Sequence, residues 1–311
     1  MKPIVIIYNP TAGQGRAGER IGEVQALLKE ANVDFHLELT EGPATAAGQA
    51  RTFAAMKEVT AIVAAGGDGT ANEVLNGLMQ AKEQNGRIPD FGVLPVGRGN
   101  DLGYGMRIPH DLSEAVRVLA QNRTRPVDLG FVTGGDFPEG RYFGNGIGIG
   151  FDTIVGFEAA KLKRIKGFGA YLVGALKTML FYYNTPLLNL EHDGGSEQRN
   201  ALQVSVMNGR RMGGAFYMAP DADPADGLLD ICIAGTPKRL AMLGVIVQYL
   251  KGTQAGNPHI TMFQTTSLRV SPVDATIAVH ADGETICTDG STLEIRIVPH
   301  ALQVISGHTP D

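Results

Sequence analysis

The stretch Gly66-Gly67-Asp68-Gly69-Thr70 lies between an apolar run at residues 61–65 and a helix-like pattern, and has the make-up of a phosphate-binding turn. Backbone N–H groups at a helix N-terminus lack intrahelical partners and carry partial positive charge, so they favour an anion. Glycine at 66, 67 and 69 lets the backbone approach a ligand with no Cβ in the way. Asp68 runs against that logic, because a carboxylate beside a phosphate repels it. A cation between the two removes the conflict and points to Mg²⁺ with a nucleoside triphosphate rather than a bare phosphate. The competing reading is an ordinary strand-to-helix turn with Thr70 or Asp68 as N-cap. Near the other end of the chain, an alternating apolar stretch at residues 275–281 runs into Asp282-Gly283-Glu284. Gly283 permits a bend that turns both acids to one side, and a carboxylate there can accept a hydroxyl proton during phosphoryl transfer. A plain Asp-Gly hairpin with Glu284 in solvent is the alternative.

The elements that must position these residues follow from hydrophobic period. Residues 3–8 read as a buried strand, 16–30 as an amphipathic helix, 35–40 as a strand and 44–56 as a helix. The strand, turn and helix around Gly66–Thr70 come next, followed by a strand at 91–95 and a helix at 112–121. Alternating β and α units imply an α/β domain with a mainly parallel sheet, whose ligands bind at the carboxyl ends of the strands. The turns at 9–13, 40–43, 66–70 and 96–101 fall on that edge. Gly13-x-Gly15-x-x-Gly18 has dinucleotide-fingerprint spacing, but residues 9–12 separate it from its strand, which weakens the match. From about residue 131 short strands dominate, at 142–149, 187–192, 201–208, 228–234, 267–271, 275–281 and 293–298. They imply a mostly antiparallel β-sandwich, interrupted by helical segments at 153–183 and 239–250. The domain boundaries are accordingly 1–130 and 131–298, with the tail 299–311 expected back on the first domain.

Composition narrows the class. The 311 residues suffice for two domains, and 19% charged against 43% hydrophobic residues describe a water-soluble globular chain. A net charge of −5 argues against the broad basic surface of a nucleic-acid binder. Cys232 and Cys287, far apart and without His neighbours, give neither a disulfide framework nor a zinc site, so a reducing cytoplasm is the expected location.

Together, Gly66–Thr70 with Asn72-Glu73, Leu94-Pro-x-Gly-x-x-Asn-Asp101, and Asp282-Gly-Glu284 resemble the signature set of the diacylglycerol kinase catalytic family, which includes bacterial lipid kinases and the sphingosine and ceramide kinases. Asn9-Pro10, residues 220–230 and the C-terminal tail extend the resemblance over nearly the whole chain. It implies an ATP-binding α/β domain, a β-sandwich domain, and transfer of the γ-phosphate to a hydroxyl of a membrane lipid. By this resemblance ATP contacts Asn9, Pro10, Thr11, Ala12, Gly13, Thr40, Gly66, Gly67, Asp68, Gly69, Thr70, Asn72 and Arg98. Asp68 organises catalytic Mg²⁺ and shares an acidic network with Asp101 and Asp128. Asp223, Asp226 and the carbonyl of Leu228 form a structural Mg²⁺ loop, Glu284 is the general base, and Asp282 supports it. The residues alone leave alternatives: Asp101 as a helix cap, Asp128 paired with Arg125 or Arg98, and the 220–228 loop as a surface turn. The family usually has Thr where Arg98 stands, so the guanidinium either meets the phosphates or points away.

Lys161, Lys163, Arg164 and Lys166 precede an apolar series from Phe168 to Phe181. A basic cluster beside an apolar face can attract anionic headgroups and give transient membrane-surface contact at the inner face, although a solvated face that packs on the sandwich has the same pattern. An oligomer is compatible with all of this. Two further functions compete. One is an NAD kinase-like enzyme with a soluble substrate, sharing the Gly-Gly-Asp-Gly-Thr turn; the other is a non-catalytic nucleotide- or lipid-binding relative.

Overall fold

The computed structural model describes residues 4–86, 88–161, 168–273 and 275–307. In chain order the elements are β1 (Ile4–Tyr8), α1 (Arg16–Glu19), α2 (Ile21–Glu30), β2 (Phe35–Leu39), α3 (Thr45–Ala54), β3 (Ala61–Gly66), α4 (Asp68–Asn85), β4 (Asp90–Pro95), α5 (Asp101–Gly105) and α6 (Leu112–Gln121). Then come β5 (Thr124–Gly134), β6 (Phe137–Phe143), β7 (Gly146–Gly150), α7 (Phe151–Lys161), α8 (Phe168–Phe181), β8 (Leu187–His192), β9 (Gly195–Asn200) and β10 (Gln203–Met207). The chain closes with β11 (Leu229–Ala234), α9 (Arg239–Lys251), β12 (Ile260–Thr265), β13 (Ser267–Pro272), β14 (Ile277–Ala281), β15 (Glu284–Gly290) and β16 (Leu293–Ile305). Contacts divide it into one unit of residues 1–127 with 300–311 and another of residues 128–299.

In the first unit β2, β1, β3 and β4 lie side by side and parallel. Their runs IVIIY and AIVAAG are buried throughout, as strands covered by helices on both faces must be. Val304 of the last strand pairs parallel to Phe91, and Lys82 Nζ donates to the Ala301 carbonyl at 2.9 Å. The helix expected over 16–30 is broken at Arg20, whose φ of −96° and ψ of 0° leave the α region.

The second unit is antiparallel and layered. One sheet has the order β12-β11-β10-β7-β14-β15. Val204, Val206, Ile147 and Ile149 on one of its faces pack with Leu188, Leu190, Leu268, Val270 and Ile295 from β8, β13 and β16, which makes the sandwich core. The opposite face is covered by helices: Met207 and Cys232 lie among Val155, Met179, Met242, Ile246 and Tyr249. The run expected at 142–149 is interrupted at Gly144-Asn145, and the described residues of the segment expected to be helical at 153–183 carry α7 and α8. Strands β5, β9, β12 and β15 were not expected from the pattern, and β16 runs well past residue 298. Lys163, Arg164 and Lys166 lie outside the described residues. Among those described, no helix is long and apolar enough to cross a membrane.

Candidate active site

Because β1, β3 and β4 run parallel, the loops after Tyr8, Gly66 and Pro95 leave the sheet at one edge. Asn9 ties them together: its N–H donates to Ala65 O at 2.9 Å and its Nδ2 to Thr70 Oγ1 at 2.9 Å. Its Oδ1 accepts from Thr11 N and Thr11 Oγ1 at 3.0 and 2.8 Å. Pro10 accepts from Gly18 N at 2.9 Å, and Ala12 N donates back to Asn9 O at 3.2 Å, which fixes the loop to Gly13. Thr40 N donates to Tyr8 O at 2.9 Å, placing the β2 exit on the same edge.

Glycine is required where these loops meet. A Cβ on Gly97 would fall 2.3 Å from Gly67 Cα, and one on Gly66 would fall 2.5 Å from Thr70 Cβ. The two glycine turns are therefore in backbone contact beside the start of α4. The N-cap of α4 is Gly67, with no side-chain cap hydrogen bond, so neither Asp68 nor Thr70 caps this helix. Asp68 instead reaches across, its Oδ1 accepting from Leu102 N at 2.9 Å in the first turn of α5. A Cβ on Gly99 would lie 2.8 Å from Asp68 Oδ2 and 3.7 Å from Asp101 Oδ2, so both carboxylates border the space that glycine leaves. Arg98, in the same loop, is exposed.

Asn72 lies in the second turn of α4. It is fully buried, and its carbonyl and Oδ1 accept from Asn76 Nδ2 at 2.9 and 3.1 Å. Its neighbour Glu73 was given no role from the sequence. Its two oxygens accept from Ala44 N and Ala46 N, each at 3.1 Å, and so hold the start of α3.

In the second unit Asp128 is wholly buried and organises the 220–228 loop. Its Oδ2 accepts from Gly227 N at 2.7 Å and its own N–H donates to Pro224 O at 2.7 Å. Asp226 Oδ1 accepts from Leu228 N at 3.0 Å. Burial, then the charges of Asp223 and Asp128, push the Asp226 carboxyl above its ordinary value. Asp230 is pushed up to about 6 by burial and by Asp226. A hard divalent cation would relieve this repulsion among the carboxylates, whose oxygens are of the kind that Mg²⁺ or Ca²⁺ takes. Among the described residues, however, no three His, Cys, Asp or Glu side chains already stand in metal-binding array.

The Asp282-Gly283-Glu284 stretch is a two-residue hairpin. Asp282 and Gly283 have φ of 48° and 84°, and Ala281 pairs with Glu284, the positive φ at both positions being the type I′ signature. The two acids do not act as a matched pair. Asp282 is 5% exposed, and its carboxylate accepts from the N–H groups of Gly144, Asn145 and Gly146 at 2.7, 2.9 and 3.0 Å. It is a positioning residue that binds the β6–β7 connection to the hairpin and thereby sets where Glu284 begins β15. Glu284 is partly exposed.

Sequence reasoning missed a polar row beside this hairpin. Cys232, Ser205, Gly148 and His280 are successive partners across β11, β10, β7 and β14. Gly148 leaves a slot in the row: a Cβ there would lie 2.2 Å from Asp152 Oδ2 and 2.4 Å from His280 Nε2. Asp152, from the first turn of α7, enters it with Oδ2 4.0 Å from His280 Nε2. Among the described residues, Asp152 Oδ2 and His280 Nδ1 have no hydrogen-bond partner. Burial raises the Asp152 carboxyl to about 7 and lowers His280 to about 4, so both are neutral near pH 6. The signal available in the sequence was a histidine in an otherwise apolar alternation, three residues before Gly283.

Comparison with known proteins matches residues 3–132 to the diacylglycerol kinase catalytic domain and residues 145–306 to the YegS C-terminal NAD kinase beta sandwich-like domain. A diacylglycerol kinase of Bacillus subtilis (strain 168) is 31% identical over 288 residues, covering 91% of this chain and 90% of that protein. One from Staphylococcus aureus (strain bovine RF122 / ET3-1) is 30% identical over 281 residues, 90% of this chain and 85% of its own length. The crystal structure of a diacylglycerol kinase from Bacillus anthracis str. Sterne superposes with a TM-score of 0.74 at 22% identity, covering 98% of this chain and 97% of that one, and so shares the fold.

Proposed function

The chain belongs to the diacylglycerol kinase family, and on that premise we propose that it is an ATP-dependent lipid kinase, transferring the γ-phosphate to a hydroxyl of diacylglycerol or a related membrane lipid. The observation that carries this reading is the meeting of the Asn9, Gly67 and Gly97 loops at an uncapped helix start, with Asp68 and Asp101 bordering one space. The N–H groups at the start of α4 receive phosphate oxygens, Asn9–Gly13 and Thr40 line the nucleotide, and Gly67 and Gly97 keep side chains out of the way. Exposed Arg98 adds a cation in reach of the solvent side of the same loop. Bound Mg²⁺ would supply neutralisation of phosphate charge, and Asp68 and Asp101 are the carboxylates to hold it. Asp223, Asp226 and the Leu228 carbonyl would hold a second, structural ion, with Asp128 fixing their loop. Glu284 takes the proton of the acceptor hydroxyl, and Asp282 fixes the turn that presents it.

The acceptor's bilayer brings the enzyme to the inner membrane face from the cytoplasm. The soluble-acceptor alternative is tested directly: radiolabelled ATP is incubated with the protein and lipid extract, NAD or no acceptor. Label is expected in the lipid arm only; label in NAD, or ATP binding without transfer in any arm, would overturn the proposal.

A further inference from the structure

Among the described residues, eight of the eleven exposed large hydrophobic side chains lie on α8, its exit and α9. On α9 the buried side is complete, with Met242, Val245, Ile246 and Tyr249 in the helix-layer core. Its other side is apolar too: Leu240, Leu243 and Val247, spaced by three and four residues, are 82%, 38% and 49% exposed. An apolar face of this kind on an otherwise ordinary surface marks a site of interaction. It adjoins the end of α8, because the Tyr183 hydroxyl donates to Pro237 O and the Arg239 guanidinium lies 5.7 Å above the Tyr183 ring. Phe181, 73% exposed, immediately precedes that tie.

Charge selects the occupant. In a chain of net charge −5, no Asp or Glu occurs from Ala159 to Leu190 or from Ile231 to Val273, the stretches that contain α8 and α9. Lys238 and Arg239 stand at one end of the apolar face of α9 and Lys251 at the other. A second copy of the chain would set these cations against themselves, whereas an anionic lipid surface complements them and takes up the apolar side chains between. We propose that the outer face of α9, with the end of α8, is the surface by which this protein seats on an anionic phospholipid bilayer, Leu240, Leu243 and Val247 entering the acyl boundary. The proposal takes its purpose from the lipid-kinase reading but is tested without turnover.

The test is flotation of the full chain with phosphatidylcholine vesicles, with and without about one third phosphatidylglycerol, for wild type and for Leu240→Glu with Val247→Glu. Both positions are solvent-facing, so the variant is expected to keep wild-type circular dichroism and melting temperature. Wild type is expected to float with the anionic vesicles and the variant to bind them about tenfold or more weakly. Phosphorylation of a short-chain, water-soluble diacylglycerol should be equal in the two proteins. Equal flotation of wild type and variant, or wild type failing to float, would overturn the proposal. So would a wild-type dimer in sedimentation that the variant dissolves without any change in vesicle binding. Flotation lost in the variant while no acceptor is phosphorylated by either protein would sustain the surface and sink the kinase reading alone.

Discussion

At the scale of single residues, the acids divide by what holds them. Asp282 is occupied by three backbone N–H groups, so its substitution should disturb the hairpin, whereas Glu284 follows the turn with part of its surface open. Glu284→Gln keeps size and removes basicity, and should lower kcat by about 10²–10⁴ with ATP affinity unchanged. Turnover within a few-fold of wild type would exclude it as the base. Asp152 and His280 make a second prediction. The Asp152 carboxyl is raised from 3.8 to about 7, so it stabilises the fold fully below pH 4 and that contribution is lost as pH rises to about 7. His280 is lowered from 6.5 to about 4, so its contribution is full above pH 6.5 and is lost as pH falls to about 4. The two limbs oppose one another. Asp152→Asn should therefore give a melting temperature that rises from pH 4 to 6.5, and His280→Gln one that falls from pH 4 to 7. Parallel pH–Tm curves for the two variants would refute the neutral pairing. Nothing in the linear sequence placed Asp152 near His280, because the slot exists only once β7 brings Gly148 between them.

Among the elements, strand–turn–helix units with buried runs were legible, since AIVAAG before a glycine turn has few other uses. Strands with polar composition were not. Residues 195–200, GSEQRN, form β9 because they complete a hairpin with β8 at the end of its sheet, where neither face needs apolar side chains. The 220–228 loop was legible as a turn, but its tie to Asp128 was not: that carboxylate is ninety-nine residues away in sequence from the Gly227 N–H it accepts. If the loop holds a cation, metal at one hundred times its dissociation constant adds about 2.7 kcal/mol to stability. EDTA should then lower the melting temperature of wild type and leave Asp226→Ala unmoved. An equal fall in both would place the metal effect elsewhere.

For the whole molecule, the division into two units follows from where the chain changes habit, from parallel β/α units to antiparallel strands near residue 128. The less legible feature is the length of the last strand: β16 was expected to stop at residue 298, yet it continues to Ile305, where its closing residues join the parallel sheet beside Phe91. A strand that alternates apolar and polar side chains through residues 293–297 and then passes His300 at φ 47° gives no periodic sign of where it ends. The first unit is thus built from both ends of the chain, and it contains every loop assigned to the nucleotide. That assignment predicts a pattern in amide hydrogen exchange. A non-hydrolysable ATP analogue with Mg²⁺, added without lipid, should slow exchange in peptides covering residues 9–13, 66–72 and 96–102, because phosphate oxygens occupy N–H groups that otherwise meet water. Asp68→Ala should reduce that protection while leaving exchange in β1 and β3 as slow as in wild type, since those strands are buried from end to end. Protection confined to peptides of residues 128–299 would move the nucleotide out of the first unit and take the roles of Asn9, Gly67 and Asp68 with it.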